Sequence, residues 1–110
     1  MDTSANTTLI GPVYEMQRSQ TKTGKDILTM KMKVWRKNQD GSEKVCWFRI
    51  VTYAGSAAFL ADKLKDGTVL VVEGVLDLYN DNGQEKFQVL MRKSHFFGQY
   101  NEEPIQYNAG

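Results

Sequence analysis

Cysteine and histidine are nearly missing from this chain of 110 residues, which has Cys46 and His95 and no other of either type. A single cysteine excludes an internal disulfide and fits a reducing compartment. Zinc sites draw mainly on several cysteines and histidines, so a metal centre of that kind is not expected. Cys46 and His95 lie far apart in sequence and carry none of the local signatures of a thiol nucleophile and its base. Cys46 therefore reads as a small buried hydrophobe, and His95 as a packed or hydrogen-bonded residue rather than a ligand. A phosphate loop is missing too, because Gly24-Lys25 lacks the earlier glycine of that motif. The expectation is a protein without catalytic residues, metal or cofactor.

Long apolar runs are also lacking. None approaches the roughly 20 residues of a membrane span, and Met1-Asp2-Thr3-Ser4-Ala5-Asn6 has neither the basic nor the apolar region of a secretory signal. A cytoplasmic protein with no membrane partner is expected. Hydrophobic residues at 41% and charged residues at 25% are ordinary for one globular domain.

Net charge is only +1, but it is unevenly spread. Between Arg18 and Arg49 lie nine basic residues and three acidic ones, whereas Ile50 to Gly110 holds five basic and eight acidic. A basic stretch of this kind is what an electrostatic footprint for nucleic acid looks like.

Within that stretch, Cys46-Trp47-Phe48-Arg49-Ile50-Val51-Thr52-Tyr53 reads as a strand. Side chains alternate along a strand, so Trp47, Arg49, Val51 and Tyr53 share one face, and Cys46, Phe48, Ile50 and Thr52 face the core. Ile27 to Trp35 alternates as cleanly, with Met30, Met32 and Val34 inward and Thr29, Lys31, Lys33 and Trp35 outward. The linking segment Arg36-Lys37-Asn38-Gln39-Asp40-Gly41-Ser42-Glu43-Lys44 contains the hairpin signal Asp40-Gly41. Lys31, Lys33 and Trp35 should then lie beside Trp47, Arg49 and Tyr53. A merely solvated basic face explains the lysines but does not require the tryptophans. Rings for stacking beside a cationic track are the recipe for binding unpaired nucleotides.

The remaining segments are coarser. Asn6 to Val13 predicts a first strand, with Pro12 at an edge or bulge because it donates no ladder hydrogen bond, and Gln17 to Lys25 reads as a polar connection ending in a turn. Ser56 is the expected N-cap of a short helix carrying Ala57, Phe59, Leu60, Ala61 and Leu64, with Lys63 and Lys65 in its last turn and Gly67 beyond. Thr68 to Tyr79 predicts a fourth strand in which Gly74 marks a bulge or bend. Asn80-Asp81-Asn82-Gly83 is a turn, and Glu85 to Phe97 a fifth strand. Tyr14 and Phe59 are assigned to the core. An all-β, five-stranded OB-fold Greek-key barrel with one short helix between strands 3 and 4 follows, spanning residues 1–98, with 99–110 a flexible polar tail.

Three groups of residues carry a resemblance. They are Asn6 with Leu9-Ile10-Gly11, then Cys46-Trp47-Phe48-Arg49-Ile50-Val51 followed by an aromatic and by Gly55, Ala57 and Ala58, and last Leu64-Lys65-Asp66-Gly67 running into Glu73-Gly74-Val75-Leu76. Together they resemble the bacterial single-stranded DNA-binding protein family over about Asn6 to Gly98. The resemblance implies an OB-fold that binds single-stranded DNA without sequence preference. It further implies a homo-oligomer, usually a tetramer with a dimer possible, that is nucleoid-associated, protects strands during replication, recombination and repair, and meets other replication proteins. The family's stacking aromatics correspond to Trp35, Trp47, Tyr53 and Tyr79, and its basic position on the third strand to Arg49. Two departures stand out. Pro12-Val13-Tyr14-Glu15-Met16 replaces the usual Asp-Pro-Glu element, and Glu102 to Gly110 lacks the long glycine-rich linker and acidic tip, as expected of either a truncated chain or a short form of the family.

The expected site thus comprises Lys31, Lys33, Arg36, Lys37, Lys44 and Arg49 on phosphates, and Trp35, Trp47, Tyr53 and Tyr79 on bases. Two other readings suit the same fold: a replication-restart protein working mainly by docking partners, and a carbohydrate or protein interaction module whose lysines are incidental.

Overall fold

The computed structural model of the protein describes residues 5–99. In chain order the elements are β1 (Asn6–Gln20), β2 (Asp26–Lys37), β3 (Glu43–Tyr53), α1 (Ala54–Lys63), β4 (Thr68–Asp81) and β5 (Gln84–Gln99). The strands close into a barrel in the order β1-β2-β3-β5-β4. Closure is made by a short parallel contact in which Ile50 faces Val89 and Val51 faces Leu90, while every other pairing is antiparallel. This is the OB-fold architecture that the strand and helix order predicts.

β1 is longer than its sequence pattern suggests. Asn6 to Pro12 pair with β4, and Val13, Tyr14 and Gln17 to Gln20 pair with β2. Pro12 sits where the strand changes partners, so its missing N–H interrupts neither ladder. The second half reads as a polar loop because Gln17 to Gln20 are exposed and no face of them needs apolar residues. Their extended form is imposed by hydrogen bonding to β2 rather than by burial.

Two glycines are required by close packing of the barrel. A Cβ on Gly11 would lie 2.3 Å from the carbonyl oxygen of Lys33, and one on Gly74 2.2 Å from that of Leu90. At Gly74 the β4–β5 register also shifts, since Glu73 faces Lys93 while Gly74 faces Met91, leaving Arg92 as an extra residue. The expected bulge is therefore present, and it bends the hairpin around the core.

That core is built from Val13, Leu28, Met30, Met32, Ile50, Leu70, Val72 and Val89, joined by Ala57 and Leu60 of α1. Each fully buried aliphatic side chain of this size contributes roughly 1.5–3 kcal/mol. The core side of β3 agrees with the alternation, but its tally of exposed residues does not, because Val51 on the outward face is only 3% exposed where β5 closes against it.

Further differences are local. The helix begins at Ala54, after an extended Tyr53 with no side-chain cap, so Ser56 lies inside it rather than at its N-cap. It ends at Lys63, with the Leu64 N–H donating to Leu60 O at 2.8 Å. Phe59 is not in the core; it is 57% exposed, with the Lys63 ammonium 6.0 Å from its ring centre. His95 is exposed rather than packed, and Cys46 is half-buried. β5 continues through Gly98 and Gln99, where the Gln99 amide donates to Asp66 O at 2.9 Å and anchors the strand end. Residues 100–110 of the expected tail, and the N-terminal segment before Ala5, lie outside the described residues.

Candidate nucleic-acid interface

The β2–β3 ladder is unbroken from Ile27 opposite Tyr53 to Lys37 opposite Glu43. With no bulge to change the alternation, residues directly across from one another share a face. Lys31 faces Arg49, Lys33 faces Trp47, and Trp35 faces Val45. The rings point outward: Trp47 is 53% exposed, Tyr53 46% and Trp35 38%. Trp47 and Tyr53 are six residues apart, about 20 Å along the strand. Buried Val51 separates Tyr53 from the tryptophans, so the rings form a spaced track rather than one cluster.

Cations hold this face in place. The Lys33 ammonium lies 5.0 Å from the Trp35 ring centre and 5.7 Å from that of Trp47, standing between both indoles. The Arg49 guanidinium lies 4.7 Å over the ring of Tyr79, which reaches in from the β4–β5 hairpin. Each such contact is worth roughly 0.5–1 kcal/mol at an exposed site. Arg49 is fixed further, because its Nε donates to Gln88 Oε1 at 3.1 Å and Gln88 Nε2 donates to Asp77 Oδ2 at 2.9 Å. A planar cation held at both its edge and its face is a preorganised partner for phosphate or base.

The hairpin tips are shaped by short polar contacts. Ser42 donates to Asp40 Oδ1 from its N–H at 2.9 Å and from its hydroxyl at 2.6 Å, and these bonds hold the Asp40 carboxyl below its ordinary range. At the β4–β5 tip, Lys86 Nζ contacts Asp81 at 2.8 Å. The hydrogen bond and charge of that pair lower the Asp81 carboxyl and raise the Lys86 ammonium.

Of the ten residues named from sequence, Lys31, Lys33, Trp35, Lys37, Trp47, Arg49 and Tyr53 lie on the outward face of the ribbon, and Tyr79 joins them through Arg49. Arg36 and Lys44 face each other on the reverse side, in line with Val34 and Cys46. Sequence reasoning assigned Tyr14 to the core. It lies opposite Lys31 and meets Trp47 edge-on, with ring centres 5.8 Å apart at 67°. Ending the first strand at Val13 concealed this, since continuing the alternation by one residue puts Tyr14 on the face of the rings. Gln88 and Asp77 were also missed, and no local pattern marks them, because their role depends on cross-strand neighbours.

Outward aromatics and cations on a closed five-stranded barrel define an OB-fold protein with a candidate surface for unpaired nucleotides. Residues 5–96 match the profile of the Single-strand binding protein family, and the chain belongs to that family. That family is one of non-enzymatic DNA-binding proteins. Solved structures share the fold. A deletion mutant of the single-stranded DNA binding protein from Thermus aquaticus superposes with a TM-score of 0.68 at 21% identity, covering 84% of this chain and 49% of that one. The mitochondrial single-stranded DNA binding protein of S. cerevisiae gives a TM-score of 0.72 at 16% identity, covering 92% of this chain and 100% of that one. The chain thus spans about half the length of that Thermus aquaticus deletion mutant. No curated protein sequence matches the chain.

Proposed function

We propose that the protein binds single-stranded DNA without regard to sequence and shields it in replication, recombination and repair, acting by passive binding rather than catalysis. The observation that carries this reading is the register of β2 and β3, which sets Lys31, Lys33 and Trp35 beside Arg49, Trp47 and Val45 on one open face. Trp35, Trp47, Tyr53 and Tyr79 stack on bases, each ring contributing roughly 1–3 kcal/mol. Lys31, Lys33, Lys37 and Arg49 neutralise phosphates from the same face, and Arg36 and Lys44 add charge from the reverse of the hairpin. Counterions released by these contacts make affinity fall steeply with salt, whereas stacking persists.

Homo-oligomerisation belongs to the same proposal. The reverse face of the β4–β5 hairpin sets Leu78 directly opposite Phe87, 52% and 70% exposed, beside an apolar cavity of about 230 Å³ lined by Phe48, Leu76 and Val89. Covering apolar surface of this kind favours association. No described helix is long and apolar enough to cross a membrane, and a cytoplasmic, nucleoid-associated protein meeting other replication proteins suits the reading. Titration with oligo-dT at two salt concentrations, on protein of known native mass, tests it. Saturable, salt-sensitive binding by an oligomer is expected. Salt-insensitive binding would favour a carbohydrate or protein module, and a dimer with weak affinity a docking protein of replication restart.

A further inference from the structure

A carboxylate stands in the middle of the cationic face. Glu15 Oε2 lies 2.9 Å from Lys31 Nζ, and both side chains are more than half exposed. Its position is specific. The β1–β2 register shifts between Tyr14 and Gln17, and Glu15 takes a φ of 55°, in the left-handed region that non-glycine residues seldom occupy. Its N–H donates to Asp66 Oδ1 at 3.3 Å, tying the bulge to the segment that precedes β4. On one side of the ion pair is a cavity of about 250 Å³ lined by Gln17, Thr29, Arg49 and Tyr79; on the other is a second, also of about 250 Å³, that reaches Trp47. Glu15 and Lys31 line both. These volumes fall just below the ~300 Å³ typical of the smallest drug-sized sites, a scale that suits one flat base.

A carboxylate here repels phosphate, so its use on this surface must lie with the bases. It only accepts hydrogen bonds, and the neighbouring ammonium only donates. Guanine alone offers two adjacent donors, N1–H and the 2-amino group, followed by a carbonyl oxygen. Thymine has one donor between two carbonyls, which a carboxylate repels, and cytosine and adenine each set one amino group beside an acceptor. We propose that the Glu15–Lys31 pair forms a guanine-preferring position in an otherwise sequence-neutral track. The base stacks on Trp47 or on the Arg49–Tyr79 layer and presents its Watson–Crick edge to the pair, the mode by which splayed single-strand bases are read. The inference rests on the single-strand reading above.

The test is an equilibrium titration of the whole chain with oligo-dT of about fifteen nucleotides and with the same strand carrying one central guanine, inosine, adenine or cytosine. The guanine strand should bind about five-fold tighter than oligo-dT, the low end for a two-point base contact. Inosine, which lacks the 2-amino group, should lose most of that gain. Glu15→Ala should abolish the preference while tightening oligo-dT binding. Glu15→Gly is the companion variant, because glycine adopts the left-handed backbone without strain. Equal binding of guanine and thymine strands overturns the guanine position and leaves the single-strand reading intact, as does a preference that survives both variants or that favours adenine or cytosine. Failure to bind oligo-dT at all overturns both.

Discussion

The β2–β3 ribbon and the β4–β5 hairpin are both long antiparallel pairs on one barrel, yet they use aromatic residues in opposite ways. On the outward ribbon face every exposed indole has a cation or ring beside it, as with Lys33 between Trp35 and Trp47, and Tyr14 edge-on to Trp47. The hairpin splits by face. Asp77, Gln88 and Tyr79 turn toward Arg49, while Leu76, Leu78 and Phe87 form an apolar surface on the other side. Rings interleaved with charge suit a polyanion with stackable bases, and bare apolar rings suit another protein surface. On the proposed reading, one fold separates a face for nucleic acid from a face for protein.

Changing one region at a time sharpens the contrast. The largest effect is expected from Leu78→Asp combined with Phe87→Glu, which should lower the native mass of the assembly to that of smaller species. The melting temperature of each protomer should change little, because both side chains are more than half exposed. An unchanged mass would remove the hairpin from the oligomer contact. Next is Trp47→Ala, expected to weaken oligo-dT binding by about 1–3 kcal/mol at low and high salt alike while leaving native mass intact. Gln88→Ala releases the Arg49 guanidinium and should cost roughly 0.5–1.5 kcal/mol of binding, the range of one hydrogen bond; Arg49→Lys, which cannot make the planar contact, should resemble it. Lys33→Ala should lower the salt slope by about 0.7, the share of one single-strand phosphate contact.

The smallest effect concerns pH at the hairpin tip. Asp81 is lowered and Lys86 raised by their mutual contact. For the lowered carboxyl, the stabilisation is present above the ordinary aspartate value and fades as pH falls through its depressed one. For the raised ammonium, it is present below the ordinary lysine value and is lost as pH climbs through its raised one. Amide protection factors at Asn82 and Gly83, taken relative to the intrinsic exchange rate at each pH, should therefore be largest between these limits and fall at either extreme, and Lys86→Ala should remove that dependence.

Much of this face was legible because regular strands convert sequence spacing directly into facing. From Ile27 to Lys37 and from Glu43 to Tyr53 the ladder has no bulge, so alternation placed Lys31, Lys33, Trp35, Trp47 and Arg49 on their true side. The same rule puts Arg36 and Lys44 on the reverse side, although their charge alone suggested membership. Where β1 departs from regularity, legibility ended. The partner change at Pro12 and the shift between Tyr14 and Gln17 depend on contacts with β4 and β2, and they brought Tyr14 and Glu15 onto the face unseen. Phe59 misled for a different reason. An apolar residue on a short helix suggests a core contact, but the barrel buries Ala57 and Leu60 of α1, with Ala61 packed partly against it, and leaves Phe59 outside. Gly74 was readable because a glycine inside an apolar strand marks a bulge or a close backbone approach. Both occur there, in the register shift and in the nearness of Leu90 O.

The most direct test of the account uses two single-tryptophan proteins, Trp35→Phe and Trp47→Phe, titrated with oligo-dT while the remaining indole is observed. Both residual tryptophans should be quenched in parallel with binding, because both rings stack on bases. Saturable binding with unaltered emission from both would contradict the central claim that the outward rings of β2 and β3 are the DNA-binding surface.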